Sequence, residues 1–172
     1  MSLEIIIGPM FSGKTSKLLE VYQQCTFCSI PVAVINHASD TRYHAELLTS
    51  HDGRAIPCVR TDRLTDVWPG LEAEVILINE AQFFEDLLPA TLDMLRCGKK
   101  VVVAGLDGDF ERKKFGAVLD LIPMCDNVTK LTSLCSVCRD GTPAIFSKRL
   151  TDEKGQVVVG VDNYIPVCRA CY

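Results

Sequence analysis

Short apolar runs alternate with amphipathic segments along roughly the first two thirds of the chain. An apolar run of about 4–8 residues, bounded by glycine, proline or polar residues, is typical of a buried strand. Runs of this kind predict strands at residues 3–7, 31–36, 56–60, 74–78 and 100–106.

Two of the intervening segments show the period of an amphipathic helix. They cover residues 16–24 and 86–97, and Gly98 follows the second as a C-cap. Residues 37–54 are polar and lack a clear period, which predicts a long loop. The alternation of strands and helices predicts an α/β fold in which a parallel sheet carries helices on both faces.

The last part of the chain has a different pattern. From residue 133 onward, glycine turns separate short β-like runs, and two Cys-x-x-Cys pairs appear. We therefore predict an α/β domain over residues 1–132 and a small metal-stapled lobe over residues 133–172.

Charge and hydropathy exclude several function classes. The chain has 172 residues and a formal net charge of −4, so it lacks the basic excess that binds a nucleic-acid backbone. No stretch approaches the ~20 apolar residues of a membrane span, and no signal peptide opens the chain. We expect a cytoplasmic protein that binds neither nucleic acid nor membranes.

The first predicted strand leads into a phosphate-binding motif. Residues 8–15, GPMFSGKT, fit the pattern G-x-x-x-x-G-K-[ST], with a strand before it and a helix after it. Main-chain N–H groups and the helix N-terminus would surround phosphate oxygens. Lys14 adds a positive charge and Thr15 a hydroxyl for Mg²⁺. The predicted nucleotide-binding residues are Gly8, Pro9, Met10, Phe11, Ser12, Gly13, Lys14 and Thr15.

The fourth predicted strand ends in Asn79 and Glu80. Ligands of open α/β sheets bind at the carboxyl ends of the strands. Glu80 is therefore a candidate Mg²⁺ ligand or general base toward an acceptor hydroxyl, and a surface glutamate at the start of a loop is the alternative. Asn79 offers an amide oxygen but no charge.

Phenylalanines follow two of the predicted strands. Phe83 and Phe84 come after the fourth strand, and Phe110 and Phe115 after the fifth. Each one taken singly is more often a core residue. Together, near a phosphate site, they predict a flat apolar slot that suits a nucleobase.

The two late cysteine pairs predict a zinc site. The pairs are Cys135 with Cys138 and Cys168 with Cys171. Four thiolates suit tetrahedral Zn²⁺, and a closed set of four cysteines is structural because no position is left for water. The segment between the pairs then becomes a loop pinned at its base.

Other candidate metal ligands have a simpler interpretation. Cys25 and Cys28 have no second pair nearby and are interpreted as core or surface residues. His37, His44 and His51 are interpreted as solvated loop residues rather than as a metal site.

With these motifs in view, the sequence resembles the type II thymidine kinase family of cytosolic and poxvirus-like enzymes, over essentially the whole chain. GPMFSGKT is similar to the family's phosphate loop, and NEAQFF at 79–84 resembles its D-E-[AG]-Q-F-F signature. Residues 40–43, 105–110 and 114–116 match its D-T-R-Y, A-L-D-G-T-F and P-F-G segments. Residues 147–149 and the two cysteine pairs match its zinc-anchored lasso.

The resemblance implies an enzyme of deoxynucleotide salvage that uses ATP, Mg²⁺ and a structural Zn²⁺. It would transfer the γ-phosphate of ATP to the 5′-hydroxyl of thymidine or deoxyuridine, with Glu80 as the base. Beyond the phosphate loop, the implied cofactor-binding residues are Asp40, Arg42, Asn79 and Gln82. The residues implied to enclose sugar and base are Met10, Phe83, Leu106, Phe110, Phe115, Ser147 and Tyr164.

The family's lasso covers the base largely through main-chain groups, which implies the same for residues 139–167 here. Family members are usually homotetramers, and dTTP inhibits them by occupying the nucleoside site. The resemblance therefore implies homotetramer assembly and feedback inhibition by dTTP.

One position departs from the family pattern. Asn79 stands where the family has an acidic residue, and we expect this to raise the Mg²⁺ requirement. Because of this departure, a catalytically weakened P-loop domain that binds nucleotide is the second interpretation of the sequence. A zinc-ribbon nucleic-acid binder with an ATPase motor is a third interpretation, against which the net charge and the 79–84 signature count.

Overall fold

The computed structural model describes residues 1–40, 46–50, 53–151, 155–156 and 163–172. Its two α-helices are α1 (Lys14–Phe27) and α2 (Leu87–Arg96). The strands, in chain order, are β1 (Ser2–Ile7), β2 (Val32–His37), β3 (Leu47–Thr49), β4 (Ala55–Pro57), β5 (Val59–Thr61), β6 (Val75–Asn79), β7 (Lys100–Gly105), β8 (Asn127–Lys130), β9 (Ser133–Leu134), β10 (Pro143–Ala144), β11 (Phe146–Arg149) and β12 (Tyr164–Val167). Short 3₁₀ helices cover Leu64–Asp66, Trp68–Gly70, Ala81–Phe83 and Val118–Met124.

A central six-stranded sheet organises the molecule. Its strand order is β5-β2-β6-β7-β1-β8, and every neighbouring pair is parallel. The middle strands β6 and β7 are buried almost throughout, as their continuous apolar sequences require in a sheet covered on both faces.

Side chains of β1 alternate between two separate cores. Ile5 and Ile7 belong to a core that includes α2, whereas Ile6 belongs to the core on the face covered by α1. This confirms the predicted parallel sheet with helices on both faces.

The structure corrects the prediction between residues 37 and 60. The predicted long loop contains β3, which pairs antiparallel with β4. The single strand predicted at 56–60 is divided into β4 and β5. Between them, Cys58 N–H donates to Glu46 O at 2.9 Å and so continues the antiparallel contact of β4 with β3. Only β5 joins the central sheet.

Strand β8 was not predicted. It lies at one edge of the central sheet, and three of its four residues are exposed. An edge strand of this kind needs no apolar run, so its sequence carries little of the periodicity that identified the other strands.

The C-terminal strands form two small antiparallel sheets, β9–β10 and β11–β12. They share a small core built on Cys135, Ala144, Val167 and Cys168. None of the helices in the described ranges has the length and apolar composition that crossing a membrane requires.

The parallel pairing places the carboxyl ends of β1, β2, β6 and β7 at one edge of the sheet. The segments that follow these strands carry most of the predicted site residues. Strand β7 lies between β1 and β6, so the segment after β7 separates the phosphate loop from Glu80.

Candidate active site

The phosphate loop has the backbone that its glycines allow. Gly13 precedes α1 with φ +84°, in the left-handed region that glycine adopts without strain. Gly8 packs so closely that a Cβ there would lie 2.5 Å from the main-chain oxygen of Leu131. The loop is therefore held against the segment that follows β8.

Lys14 extends back over this loop from the first turn of α1. Its ammonium donates to Pro9 O at 2.7 Å and to Gly8 O at 3.0 Å. A phosphate is a stronger partner for an ammonium group than a neutral carbonyl is. Lys14 is thus placed where an incoming phosphate can take over these bonds, and Thr15 follows it in the same turn.

Glu80 lies at the tip of β6 in a strained conformation. Its φ of 51° and ψ of 40° are left-handed, which is uncommon for a residue with a side chain. Such strain is concentrated at functional sites. The turn carries the Glu80 side chain from the buried strand to the edge of the sheet that carries the phosphate loop.

Gln82 contacts the Glu80 carboxylate. Its Nε2 donates to Glu80 Oε2 at 2.7 Å, and its Oε1 accepts from Leu106 N at 3.0 Å. Gln82 was expected among the cofactor-binding residues. In this structure its side chain is buried and bonded to Glu80 and to the segment after β7.

Asn79 belongs to a buried relay of polar side chains. Its Nδ2 donates to Asn36 Oδ1 at 3.0 Å, and Asn36 Nδ2 donates to Asp40 Oδ2 at 3.1 Å. Asn36 and Asn79 are register partners in β2 and β6, and all three residues are buried. The relay therefore joins Asn79 to the carboxylate of Asp40.

The phenylalanines divide between core and site. Phe84 is 1% exposed and belongs to the hydrophobic core. Phe83 and Phe115 meet edge to face, with ring centroids 5.5 Å apart. Phe110 lies under the guanidinium of Arg149, 3.6 Å from ring centroid to Cζ.

His37 is not the solvated loop residue that was predicted. It ends β2, and its ring packs against Phe84 at 4.7 Å and Phe83 at 5.4 Å between centroids. Burial lowers the pKa of His37, against the weaker opposing effect of Asp62. Its Nδ1 accepts from Ser39 N at 3.1 Å, which fits a neutral ring. His44 and His51 lie outside the described residues.

Hydrogen bonds also join the C-terminal strands to the rest of the site. Ser147 Oγ, on β11, accepts from Met10 N in the phosphate loop at 2.9 Å. Gln156 Nε2 donates to Asp109 Oδ2 at 2.8 Å, so the segment between β11 and β12 also contacts the segment after β7.

Arg149 organises the described part of that segment. Its guanidinium donates to Gly155 O at 2.6 Å and to Gln156 O at 3.0 Å, and also to the hydroxyl of Tyr164 at 2.6 Å. It is buried although it carries a charge. A planar guanidinium with several fixed donors suits this role because it can hold separate main-chain oxygens at once.

Four thiols converge in the C-terminal part. The Sγ atoms of Cys135, Cys138, Cys168 and Cys171 all lie within 4.8 Å of one another. Cys138 Sγ is 3.8 Å from Cys168 Sγ and 3.5 Å from Cys171 Sγ. Zn–S bonds of about 2.3 Å in a tetrahedron place sulfurs about 3.8 Å apart, so this cluster fits Zn²⁺.

The electrostatics of the thiols also favour a cation. Hydrogen bonds from the N–H groups of Cys138 and Cys168 lower the pKa of Cys135 to about 6. The neighbouring thiols of Cys171, Cys135 and Cys168 raise the pKa of Cys138 to about 12. All four sulfurs ionise together only when a metal ion neutralises them.

The structure places the described candidates after the carboxyl ends of β1, β2, β6 and β7 and on β11 and β12. Arg42 lies outside the described residues. Sequence reasoning did not identify Asn36 or a role for Arg149. A polar residue that ends an apolar run, as Asn36 does, was the available signal for the first.

Comparisons with known proteins agree with this geometry. The family model for thymidine kinase matches residues 1–172. A rice protein named thymidine kinase is 45% identical over 99% of this chain and 65% of its own length. Human cytosolic thymidine kinase is 40% identical over 99% of this chain and 72% of its own. The thymidine kinase of Yaba monkey tumor virus is 38% identical, over 99% and 93%. The chain spans slightly less than two thirds of the rice protein.

Proposed function

The chain belongs to the thymidine kinase family, and we propose that it transfers the γ-phosphate of ATP to the 5′-hydroxyl of thymidine with Glu80 as the general base. The observation that carries the assignment is the placement of Glu80. It lies in a left-handed turn at the sheet edge that carries the phosphate loop, bonded to Gln82 and followed by Phe83.

In the proposed reaction, Glu80 accepts the proton of the 5′-hydroxyl as its oxygen attacks the γ-phosphorus. The bond from phosphorus to the β-phosphate oxygen breaks, and dTMP and ADP are the products. Lys14 and the main-chain N–H groups at the start of α1 hold the phosphates and stabilise the charge that moves onto the leaving oxygen.

The residues available for Mg²⁺ are oxygen donors, which this ion prefers. They are the hydroxyl of Thr15, in the first turn of α1, and the carboxylate of Asp40, which the Asn36 amide orients. When bound, Mg²⁺ neutralises charge on the β- and γ-phosphates. We propose the same vicinity for Arg42.

The nucleoside would lie between the aromatic side chains and the lasso. The proposed wall consists of Met10, Phe83, Leu106, Phe110, Phe115, Ser147 and Tyr164. The lobe at residues 133–172 would close over the nucleobase through the segment that Arg149 holds. Zn²⁺ bound by the four cysteines would fix the two ends of this segment.

Several further properties are proposed from the family resemblance. They are phosphorylation of deoxyuridine, feedback inhibition by dTTP, homotetramer assembly and a place in deoxynucleotide salvage in the cytoplasm. Inhibition by dTTP is supported by the common sheet edge, because β1, which leads into the phosphate loop, and β7, which leads into the proposed nucleoside wall, are neighbouring parallel strands. Four relatives are named as cytosolic thymidine kinases.

The function is tested by an ATP-dependent phosphorylation assay. We expect thymidine to yield dTMP and ADP, and 5′-deoxythymidine, which lacks the accepting hydroxyl, to yield neither. Nucleotide binding without ADP production in the presence of thymidine and Mg²⁺ would instead support a domain that binds nucleotide without catalysis.

Replacing Arg149 with methionine is expected to weaken nucleoside binding more than turnover. The variant removes the charged donors to Gly155 and Gln156 but keeps an unbranched apolar side chain over Phe110. Hydrogen bonds to charged groups contribute about 1.5–3 kcal/mol each. We expect the KM for thymidine to rise about 10–100-fold. The exposed Arg63→Met is the control, and equal KM values in R149M and wild type would contradict the role.

From the sequence alone, replacing Asn79 with aspartate is expected to lower the Mg²⁺ requirement and raise turnover. The hydrogen bonds of Asn79 and Asn36 reverse this expectation, and we expect N79D to lower turnover although it adds negative charge. A carboxylate cannot donate to Asn36 Oδ1, so Asn36 must turn its amide and present its oxygen to Asp40. One buried hydrogen bond to a charged group is then lost, worth about 1.5–3 kcal/mol.

A Mg²⁺ titration of kcat, with a thermal melt, measures the effect of N79D. The matched control is Asn127→Asp on the exposed edge of β8. A lower Mg²⁺ requirement with higher turnover in N79D would show that the missing charge outweighs the relay.

A further inference from the structure

The Glu80 carboxylate accepts a hydrogen bond from the side chain of Gln82. Gln82 lies in the 3₁₀ helix that follows β6, and its Nε2 donates to Glu80 Oε2 at 2.7 Å. We propose that Gln82 is a positioning residue for the general base, which orients and stabilises the Glu80 carboxylate. The proposal rests on the proposed function, because it requires Glu80 to be the base.

The orientation of the Gln82 amide is determined by its partners. Leu106 N–H donates to Oε1 at 3.0 Å, which leaves Nε2 to face Glu80. If the amide were turned by 180°, its NH₂ group would face the Leu106 N–H and its oxygen would face a carboxylate. Both contacts would be repulsive, so the main-chain donor selects the orientation that supports Glu80.

Close packing keeps Gln82 in this place. Its side chain is 4% exposed. A Cβ at Gly105 would lie 2.9 Å from Gln82 Oε1, and one at Gly116 would collide with the main-chain oxygen of Gln82. Gly105 therefore leaves just enough room for the side-chain amide, and Gly116 allows the main chain of Gln82 to pack closely, so the residue has few alternatives to the observed position.

The contact with Leu106 gives the arrangement a consequence for catalysis. Leu106 follows β7 and belongs to the proposed wall of the nucleoside site. The Gln82 amide therefore links the Glu80 carboxylate to that wall by two hydrogen bonds. This linkage keeps the distance from the carboxylate to the accepting hydroxyl of the nucleoside constant. A misplacement of about 1 Å can cost about 10²-fold in rate.

The first test variant is Gln82→Met, which keeps the length of the side chain and removes both hydrogen bonds. We expect kcat to fall about 10²-fold, while the KM for ATP stays within about twofold, because the phosphate loop is untouched. A carboxylate that loses a donor holds its charge less well. The acidic limb of the kcat–pH profile should therefore move to higher pH.

The second variant, Gln82→Glu, keeps an acceptor for the Leu106 N–H and donates to Glu80 only while the new carboxyl carries a proton. Two carboxyl groups this close share one proton over a range of pH. We expect kcat of Q82E to exceed that of Q82M at low pH and to fall as the pH rises. Wild type should lack this descending limb. If Q82M does not fold, the Q82E profile carries the test.

Two further variants make the result specific. Gln24→Met, at an exposed glutamine of α1, controls for the loss of an amide and should match wild type. Glu80→Gln is measured in the same series. If E80Q is inactive and the Q82M and Q82E profiles keep the wild-type shape, the role of Gln82 is wrong and the base assignment stands. If E80Q stays active, the base assignment itself is wrong.

Discussion

Replacing Glu80 with glutamine is expected to lower thymidine turnover by about 10²–10⁴-fold, the usual contribution of a general base. The change removes the only property that the proposed reaction needs from this side chain, which is the ability to accept a proton. The new amide oxygen can still accept from Gln82 Nε2, so the local geometry is preserved. The effect is therefore expected in kcat.

Binding of ATP should remain close to wild type in E80Q. The phosphate loop follows β1, whereas Glu80 follows β6, and β7 separates the two strands. Isothermal titration with a non-hydrolysable ATP analogue measures the binding, and steady-state kinetics measure kcat. The control is Glu85→Gln, at an exposed glutamate five positions along the chain. A kcat of E80Q within a few-fold of wild type would rule out Glu80 as the base.

The phosphate loop and the cysteine cluster were predictable because their chemistry is encoded in short spacing. Gly8 and Gly13 allow the local backbone conformation of the phosphate loop. Lys14 lies in the adjacent first turn of α1, from which its side chain reaches the loop. The two cysteine pairs are distant from each other in sequence, but four thiolates are expected to meet where they can ligate one tetrahedral metal ion. The structure brings all four sulfurs together.

Contacts across the sheet could not be predicted in the same way. Asn36 meets Asn79 because β2 and β6 are neighbours in a particular register, and no local pattern in either strand specifies that register. Gln82 is similar: its partner Leu106 is 24 residues away, and the pairing depends on the order of β6 and β7.

Exposure and short length explain the strands that were missed. Hydrophobic periodicity reflects burial, so it predicted β6 and β7, which are buried throughout most of their length. It failed for β8, which is an exposed edge strand, and for β3, a three-residue strand inside a polar segment. β8 has little buried surface to leave a pattern in the sequence, whereas β3 is too short to show a period, although Leu48 at its centre is buried.

Replacing Cys168 with serine is expected to abolish zinc binding and thymidine phosphorylation at ordinary thymidine concentrations. Cys168 is buried in the small core of the C-terminal strands, whose other buried members are Cys135, Ala144 and Val167. A core of this size supplies too little hydrophobic stabilisation to hold its fold alone. Structural Zn²⁺ contributes about 10–16 kcal/mol in zinc-finger peptides, so the loss of one ligand should unfold these strands.

Loss of these strands should weaken thymidine binding, because β11 and β12 carry residues that form the proposed nucleoside site or hold the lasso over it. Ser147 and Arg149 lie on β11, and Tyr164 begins β12. When these strands lose their order, the segment that Arg149 holds loses its anchor. The KM for thymidine should rise far more than the Kd for ATP, since the phosphate loop lies on the central sheet.

Metal analysis and kinetics together decide this prediction. Wild type should contain one zinc per chain, and C168S none, while the exposed Cys97→Ser control keeps both its zinc and its activity. A strong chelator should reproduce the C168S phenotype in wild type, and added Zn²⁺ should reverse it. If wild type holds no zinc, or if zinc remains after both Cys168 and Cys171 are replaced, the four thiols do not form the site. If C168S contains no zinc but its KM for thymidine equals that of wild type, the zinc site does not support the lasso over the nucleoside.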